Sequence, residues 1–404
     1  MSGRTDTVTA ETILPGLVAL RREIHADPET GSQLPRTQAR ILTALRPLGL
    51  EITLGRGLSS IVAVLRGGRP GPAVLLRADM DALPLVEETG LDYAAQGDRM
   101  HACGHDLHVA ALVGAATLLS AGRDSLAGDV VFMFQPAEEV GDGAKTMIEE
   151  GLLDILGRPP IAAYGIHVVP GEYGVFSTRP GTLMAGALEA SVTVTGSGGH
   201  ASAPHLATDP VPVVAEMIAA LQTFATREFD VFDPVVVSVT QVHAGGQARN
   251  IIPDEARLGA SIRVLSRANQ ERVARRLPVL LSAIAEAHGC RAAVTVDTLC
   301  PPTVNDDAAA LLALDVLERM FGPERVRRSA APVMGSEDFA FVLERVPGAF
   351  VFLRATPPHL DPDAVAPNHH SRAVFDDAVL ADQALALAEL ARETLRRQEW
   401  VESA

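Results

Sequence analysis

The segment His101-Ala102-Cys103-Gly104-His105-Asp106-Leu107-His108 is the densest run of metal-ligand side chains in the sequence. Cys103 and His105 are two residues apart, a spacing that points both side chains to one side of an extended segment. A thiolate and a neutral imidazole so placed suit Zn²⁺ or a similar first-row divalent ion. Further ligand types follow at wide intervals: the pair Glu138-Glu139, then His167, then His369-His370. Ligands scattered in this way fit a composite metal centre; a structural zinc site would draw on nearby Cys/His pairs. Two hydrolytic metals about 3.5–4 Å apart need a bridging ligand, which a thiolate or a carboxylate supplies. Adjacent glutamates suit a division of labour, in which one binds metal while its neighbour takes a proton from water.

These candidates recur just beyond apolar runs. Ala73–Ala78 reads as a strand running into Asp79-Met80-Asp81, Asp129–Gln135 as a strand before Glu138-Glu139, and 161–166 as a strand ending at His167. In open α/β sheets, ligands bind outside the carboxyl ends of the strands. Asp81 is read as a partner that orients a ligand histidine. Asp79 fits a ligand, such a partner, or a turn former. The apolar run from Val109 to Ala116 predicts a buried helix behind the Cys103–His105 loop. His25 lies in a predicted helix over 9–29 and is expected to be a surface or structural residue. The Pro-, Asp- and His-rich stretch 355–373 is a long loop, a length uncommon without a function.

The chain has 404 residues, more than one ordinary domain. From 188 to 297 the pattern reads β-α-β-β-α-β, the ferredoxin-like order. The expected architecture is therefore an α/β, mixed-sheet catalytic domain over 1–183 and 299–404, with a compact domain inserted at 184–298. That insertion carries two polar, glycine-rich loops: Gly196–His205, with His200, and Gly245–Asp254, with Asn250; Arg263 ends the next strand. The Gly196–His205 loop lacks the Lys-Ser/Thr that would complete a phosphate-binding loop.

A net charge of −16 argues against nucleic acid and anionic membrane surfaces as partners. Three cysteines, widely spaced, do not make a disulfide framework. No window reaches the roughly 20 apolar residues of a membrane span, and the N-terminus lacks the apolar core of a signal peptide. A cytoplasmic location is expected.

The motifs Arg77-Ala78-Asp79-Met80-Asp81-Ala82-Leu83-Pro84, His101–His108, Gln135-Pro136-Ala137-Glu138-Glu139, Gly165-Ile166-His167-Val168, Gly198-Gly199-His200-Ala201, Asn250-Ile251-Ile252-Pro253 and Gly335-Ser336-Glu337-Asp338-Phe339 occur in this order. The ordered set, covering about 15–395, resembles the M20 metallopeptidase family. Within it the resemblance is to N-acyl-amino-acid amidohydrolases: hippurate hydrolases, auxin-conjugate hydrolases and bacterial aminoacylases. It implies a di-metal catalytic domain with an inserted lid or dimerisation domain, and a homodimer. It implies two divalent ions (Zn, Mn or Co) on Cys103, His105, Glu139, His167 and a late histidine. Counting from Asn368 favours His369 over His370. It also implies Glu138 as general base, Asp81 within the catalytic set, His200 as the lid residue facing the oxyanion, and Asn250 and Arg263 at the substrate.

The expected reaction is hydrolysis of N-acyl-L-amino acids. A dipeptidase or carboxypeptidase, an N-carbamoyl-amino-acid hydrolase, and a non-catalytic binding protein on the same fold are the alternatives. Departures from the family pattern, Ser197 in the lid loop and Leu188 and Ala190 in the strand before it, bear on substrate preference.

Overall fold

The computed structural model describes residues 8–397. The described chain divides into two compact units, one formed by 8–183, 304–331 and 341–397, the other by 184–303 and 332–340. The Gly335–Asp338 turn, read from the sequence with the first domain, thus groups with the second unit.

The first unit is built on an eight-stranded sheet. Its order is Glu51–Leu54, Ile61–Leu65, Ala127–Gln135, Arg69–Asp79, Ala162–Val169, Gly348–Arg354, Phe176–Thr178, Val326–Arg328. The central strands Ala127–Gln135, Arg69–Asp79, Ala162–Val169 and Gly348–Arg354 run parallel, and the pairings on either side of them turn antiparallel. Strands covered on both faces need continuous apolar sequence, and Ile61–Leu65 is buried at every position. The parallel register sets Asp79 opposite Gln135 and His167 beside Phe352, so the carboxyl ends of these strands emerge together.

Behind the sheet, the helix His105–Ala121 is apolar almost all round and buried along most of its length. It packs with the helices Ala10–His25 and Val379–Arg396 in one core. Gly114 permits that approach: a Cβ there would lie 2.7 Å from both Ala384 Cβ and Leu17 Cδ1. The first helix ends at His25, short of the predicted 29. The last spans Val379–Arg396, where the sequence predicts a closing helix near 377–398; position 398 lies outside the described residues.

The second unit follows the order Gly186–Thr195, Pro210–Arg227, Val235–Ala244, Glu255–Val264, Arg267–Ala287, Arg291–Cys300, which is β-α-β-β-α-β. Its four strands form one antiparallel sheet in which Glu255–Val264 and Gly186–Thr195 are central. Alternation gives the sheet one apolar face: Leu188, Ala190, Val192 and Val194 pack with Met217, Leu221, Leu277 and Leu281 of the two helices. No described helix is long and apolar enough to cross a membrane.

Candidate metal centre

Cys103 and His105 do come together, but not through extended backbone. Gly104 takes a left-handed conformation (φ 83°), and His105 is already the first residue of a helix. A Cβ on Gly104 would fall 2.3 Å from Val168 Cγ2, so only glycine lets this turn press against the neighbouring strand. His167 likewise sits within the strand Ala162–Val169, two residues before its end, rather than beyond it.

The cluster assembles around these residues. Cys103 Sγ lies 3.5 Å from His167 Nε2 and 3.2 Å from His369 Nε2. Glu139 Oε1 lies 3.4 Å from His369 Nε2 and 3.8 Å from His105 Nε2. Glu138 Oε2 lies 4.0 Å from the same His105 nitrogen. His369, rather than His370, enters the cluster; the His370 ring accepts the Arg372 main-chain N–H instead. His369 holds a left-handed backbone (φ 65°), as does Ala137 (φ 61°) immediately before Glu138. Such backbone costs about 1–3 kcal/mol in a non-glycine residue and gathers at functional sites.

Hydrogen bonds fix which nitrogen each ring offers. His105 Nδ1 donates to the main-chain oxygen of Asp81 at 2.9 Å, and His167 Nδ1 to that of Val168 at 2.8 Å. Each therefore turns its Nε2 lone pair to the cluster. The Asp81 carboxylate itself stands 3.7 Å from His105 Nδ1. It accepts the main-chain N–H groups of Glu138 and Glu139, both at 3.1 Å, and so holds the glutamate pair in place. Asp81 is thus a positioning residue.

His108 is a further positioning residue, one whose role the sequence reading missed, and it acts with Asp79, which that reading left open between ligand, orienting partner and turn former. His108 Nδ1 donates to Asp79 Oδ1 at 2.5 Å, and its Nε2 accepts the Val168 N–H at 2.8 Å. Both ring nitrogens are used, which keeps His108 from serving as a ligand although it borders the site. Asp79 also receives Arg77 Nη1 at 2.6 Å. The signal was the i, i+3 spacing of His105 and His108 on one helix face.

Behind the centre, Arg21 Nε donates to Asp106 Oδ2 at 2.6 Å, and His25 bridges Asp106 and Glu87. His25 is therefore structural and buried, with both ring nitrogens on carboxylates. The His101 ring lies 6.3 Å from that of His25.

The donor set fits a divalent cation. His105 Nε2 and Glu139 Oε1 are buried and find no hydrogen-bond partner among the described residues. Without a cation the electrostatics are ill-matched. Burial pushes the Cys103 thiol up to about 12, against the opposing pull of His105. Burial likewise raises Glu139 to about 7, with Asp81 and Asp79 adding to the effect and His105 opposing it. Burial and His108 push His167 well below the usual histidine range, which favours its neutral, ligating form. A cation at the centre of Cys103, His105 and Glu139, whose ligand atoms lie within 4.8 Å of one another, would satisfy both orphaned atoms and stabilise both anions.

In the second unit, His200 is exposed and pairs through its short strand with Ile251. The Asn250 carbonyl accepts the Ala201 N–H at 3.0 Å, so the two loops form one corner. Arg263 stands near the opposite end of the strand Glu255–Val264, about 26 Å along at roughly 3.3 Å per residue, and donates to Ser261 Oγ.

The sequence profile of Peptidase family M20/M25/M40 matches residues 75–393. Thermostable carboxypeptidase 1 of Saccharolobus solfataricus is 36% identical over 381 residues, 93% of this chain and 94% of that protein. N-acetyl-L-cysteine deacetylase of Bacillus subtilis is 34% identical over 397 residues, 98% of this chain and 92% of that protein. The crystal structure of Bacillus subtilis YxeP, described as a dinuclear metal binding peptidase from the M20 family, superimposes with a TM-score of 0.83. Its sequence identity is 30%, over 96% of this chain and 99% of that one. The chain belongs to Peptidase family M20/M25/M40 and is an amide-bond hydrolase of that family.

Proposed function

We propose that the enzyme hydrolyses N-acyl-L-amino acids to a carboxylic acid and a free amino acid. The observation that carries this reading is the glutamate pair: Asp81 pins both main-chain N–H groups, and both carboxylates approach His105 Nε2. One carboxylate can then hold metal while its neighbour handles the proton. Cys103, His105, Glu139, His167 and His369 would hold two divalent ions, of Zn, Mn or Co. When bound, these supply Lewis-acid polarisation of the scissile carbonyl and lower the pKa of water.

The rest falls to the chain's own side chains. Glu138 takes the proton of the attacking water and returns it to the departing amine. His200 Nδ1 accepts the Ser202 N–H at 3.1 Å, so its Nε2 carries the proton and can donate to the tetrahedral oxyanion. In this reading His200 acts within a homodimer, and Asn250 and Arg263 contact the substrate. The likeness to a deacetylase over nearly the full chain supports an acyl group as the part released.

A second reading, a carboxypeptidase, is favoured by the 36% identity to the Saccharolobus enzyme. Amine release from N-acetyl-, N-benzoyl- and long-chain N-acyl-L-amino acids, measured beside peptides on metal-stripped and reconstituted protein, separates the two. Metal-dependent cleavage confined to the N-acyl compounds is expected. Faster cleavage of peptides would replace the first reading with the second.

A further inference from the structure

We propose that Asn368 is a positioning residue that donates a hydrogen bond to the Cys103 sulfur and ties the ligand-bearing segments of the centre together. This rests on the reading of Cys103 as a metal ligand. The Asn368 Nδ2 lies 3.2 Å from the Val168 carbonyl oxygen, 3.3 Å from that of Cys103 and 3.6 Å from Cys103 Sγ. Both carbonyl oxygens accept only, so the amide must turn its nitrogen to this corner. One side chain thereby joins the turn before helix His105–Ala121, the strand that carries His167, and the loop that carries His369.

The next residue adds a second tie. The His369 main-chain N–H donates to the Ala102 carbonyl at 3.0 Å. Consecutive bonds from Asn368 and His369 clamp the late loop onto the cysteine turn and hold His369 in its left-handed conformation. His369 is the only member of the set on that loop, and its side chain is 54% exposed, so packing alone restrains it least.

An N–H aimed at a ligating sulfur withdraws electron density from it and so stabilises the sulfur lone pairs. Loss of the donor raises those orbitals and moves the sulfur-to-metal charge-transfer absorption to longer wavelength. An amide that merely held the loop would leave the absorption where it is. The full-length protein loaded with Co²⁺ gives that readout directly, and competition with a chromophoric chelator gives the affinity.

Asn368→Asp keeps the side-chain shape but removes the donor at neutral pH, and Asn368→Ala removes the amide altogether; thermal melting checks that both fold. Both variants are expected to show the sulfur–cobalt band shifted to longer wavelength and Co²⁺ affinity reduced about 10–100-fold. Bands that stay at the wild-type position overturn the proposal, whether or not affinity falls. A wild-type protein with bound Co²⁺ but no sulfur band would refute Cys103 as a ligand, and the present proposal with it.

Discussion

His108 donates to Asp79 across 2.5 Å while its other ring nitrogen accepts the Val168 N–H. The histidine thus couples the end of the strand Arg69–Asp79 to the strand Ala162–Val169 from behind the metal centre. His108→Ala leaves a buried carboxylate without one donor and a main-chain N–H unpaired. The expected cost is about 1–3 kcal/mol in urea unfolding, together with a loss of about 10–100-fold in metal affinity. Unchanged metal affinity would show that Asp79 keeps its place without His108.

The two adjacent glutamates are expected to fail differently. Glu138→Gln should lower kcat by about 10²–10⁴-fold and retain metal. Glu139→Gln should lose metal, with activity falling because the ions are absent. Metal content after gel filtration, read beside kcat, distinguishes them. Equal metal loss in both variants would remove Glu138 from the role of base.

Glu139 also fixes a pH dependence. In the metal-free protein burial raises its pKa from 4.5 to about 7, so the folded chain holds a proton that the unfolded chain releases. Its contribution to stability is fully present below about 4.5 and is lost as pH rises through about 7. Thermal unfolding of the stripped protein should show this fall, and Glu139→Gln should flatten it. Metal affinity should run the other way, rising with pH, because the ion must displace protons from Cys103 at all these pH values and from Glu139 below about 7.

The Arg21–Asp106 pair is buried on both sides. Burial raises the Asp106 carboxyl, but Arg21 and His25 outweigh it and hold it far below the usual range. Asp106→Asn strands the Arg21 guanidinium and should cost about 3–5 kcal/mol in urea unfolding. In the wild type, this contribution is present above about pH 4 and disappears only as pH falls toward the depressed value. A cost below about 1 kcal/mol would mean that Tyr93 and Asp377 suffice for Arg21.

The sequence by itself determined the elements and the chemistry. Apolar runs ending in Asp79, Gln135 and near His167 announced buried strands, and the β-α-β-β-α-β order of the second unit follows from alternation and helical spacing alone. Cys103, His105 and the glutamate pair declared themselves by residue type. Tertiary structure decided what each group touches. Cys103 and His369 stand 266 positions apart yet 3.2 Å from each other, a proximity that no local periodicity encodes. The parallel register decided that three strand ends open at one place. The loop entering a helix was expected, but Cys103 and His105 meet across a left-handed turn at Gly104 and not along extended backbone, and only glycine fits there against Val168. The main-chain roles of Asp81 were illegible for the same reason: hydrogen bonds to a peptide group leave no mark in the side-chain alphabet. Counting from Asn368 favoured His369 over His370 without excluding the latter. The folded chain sets His369 Nε2 3.2 Å from Cys103 Sγ and turns the His370 ring to the Arg372 N–H, because adjacent identical residues differ in where the backbone aims them.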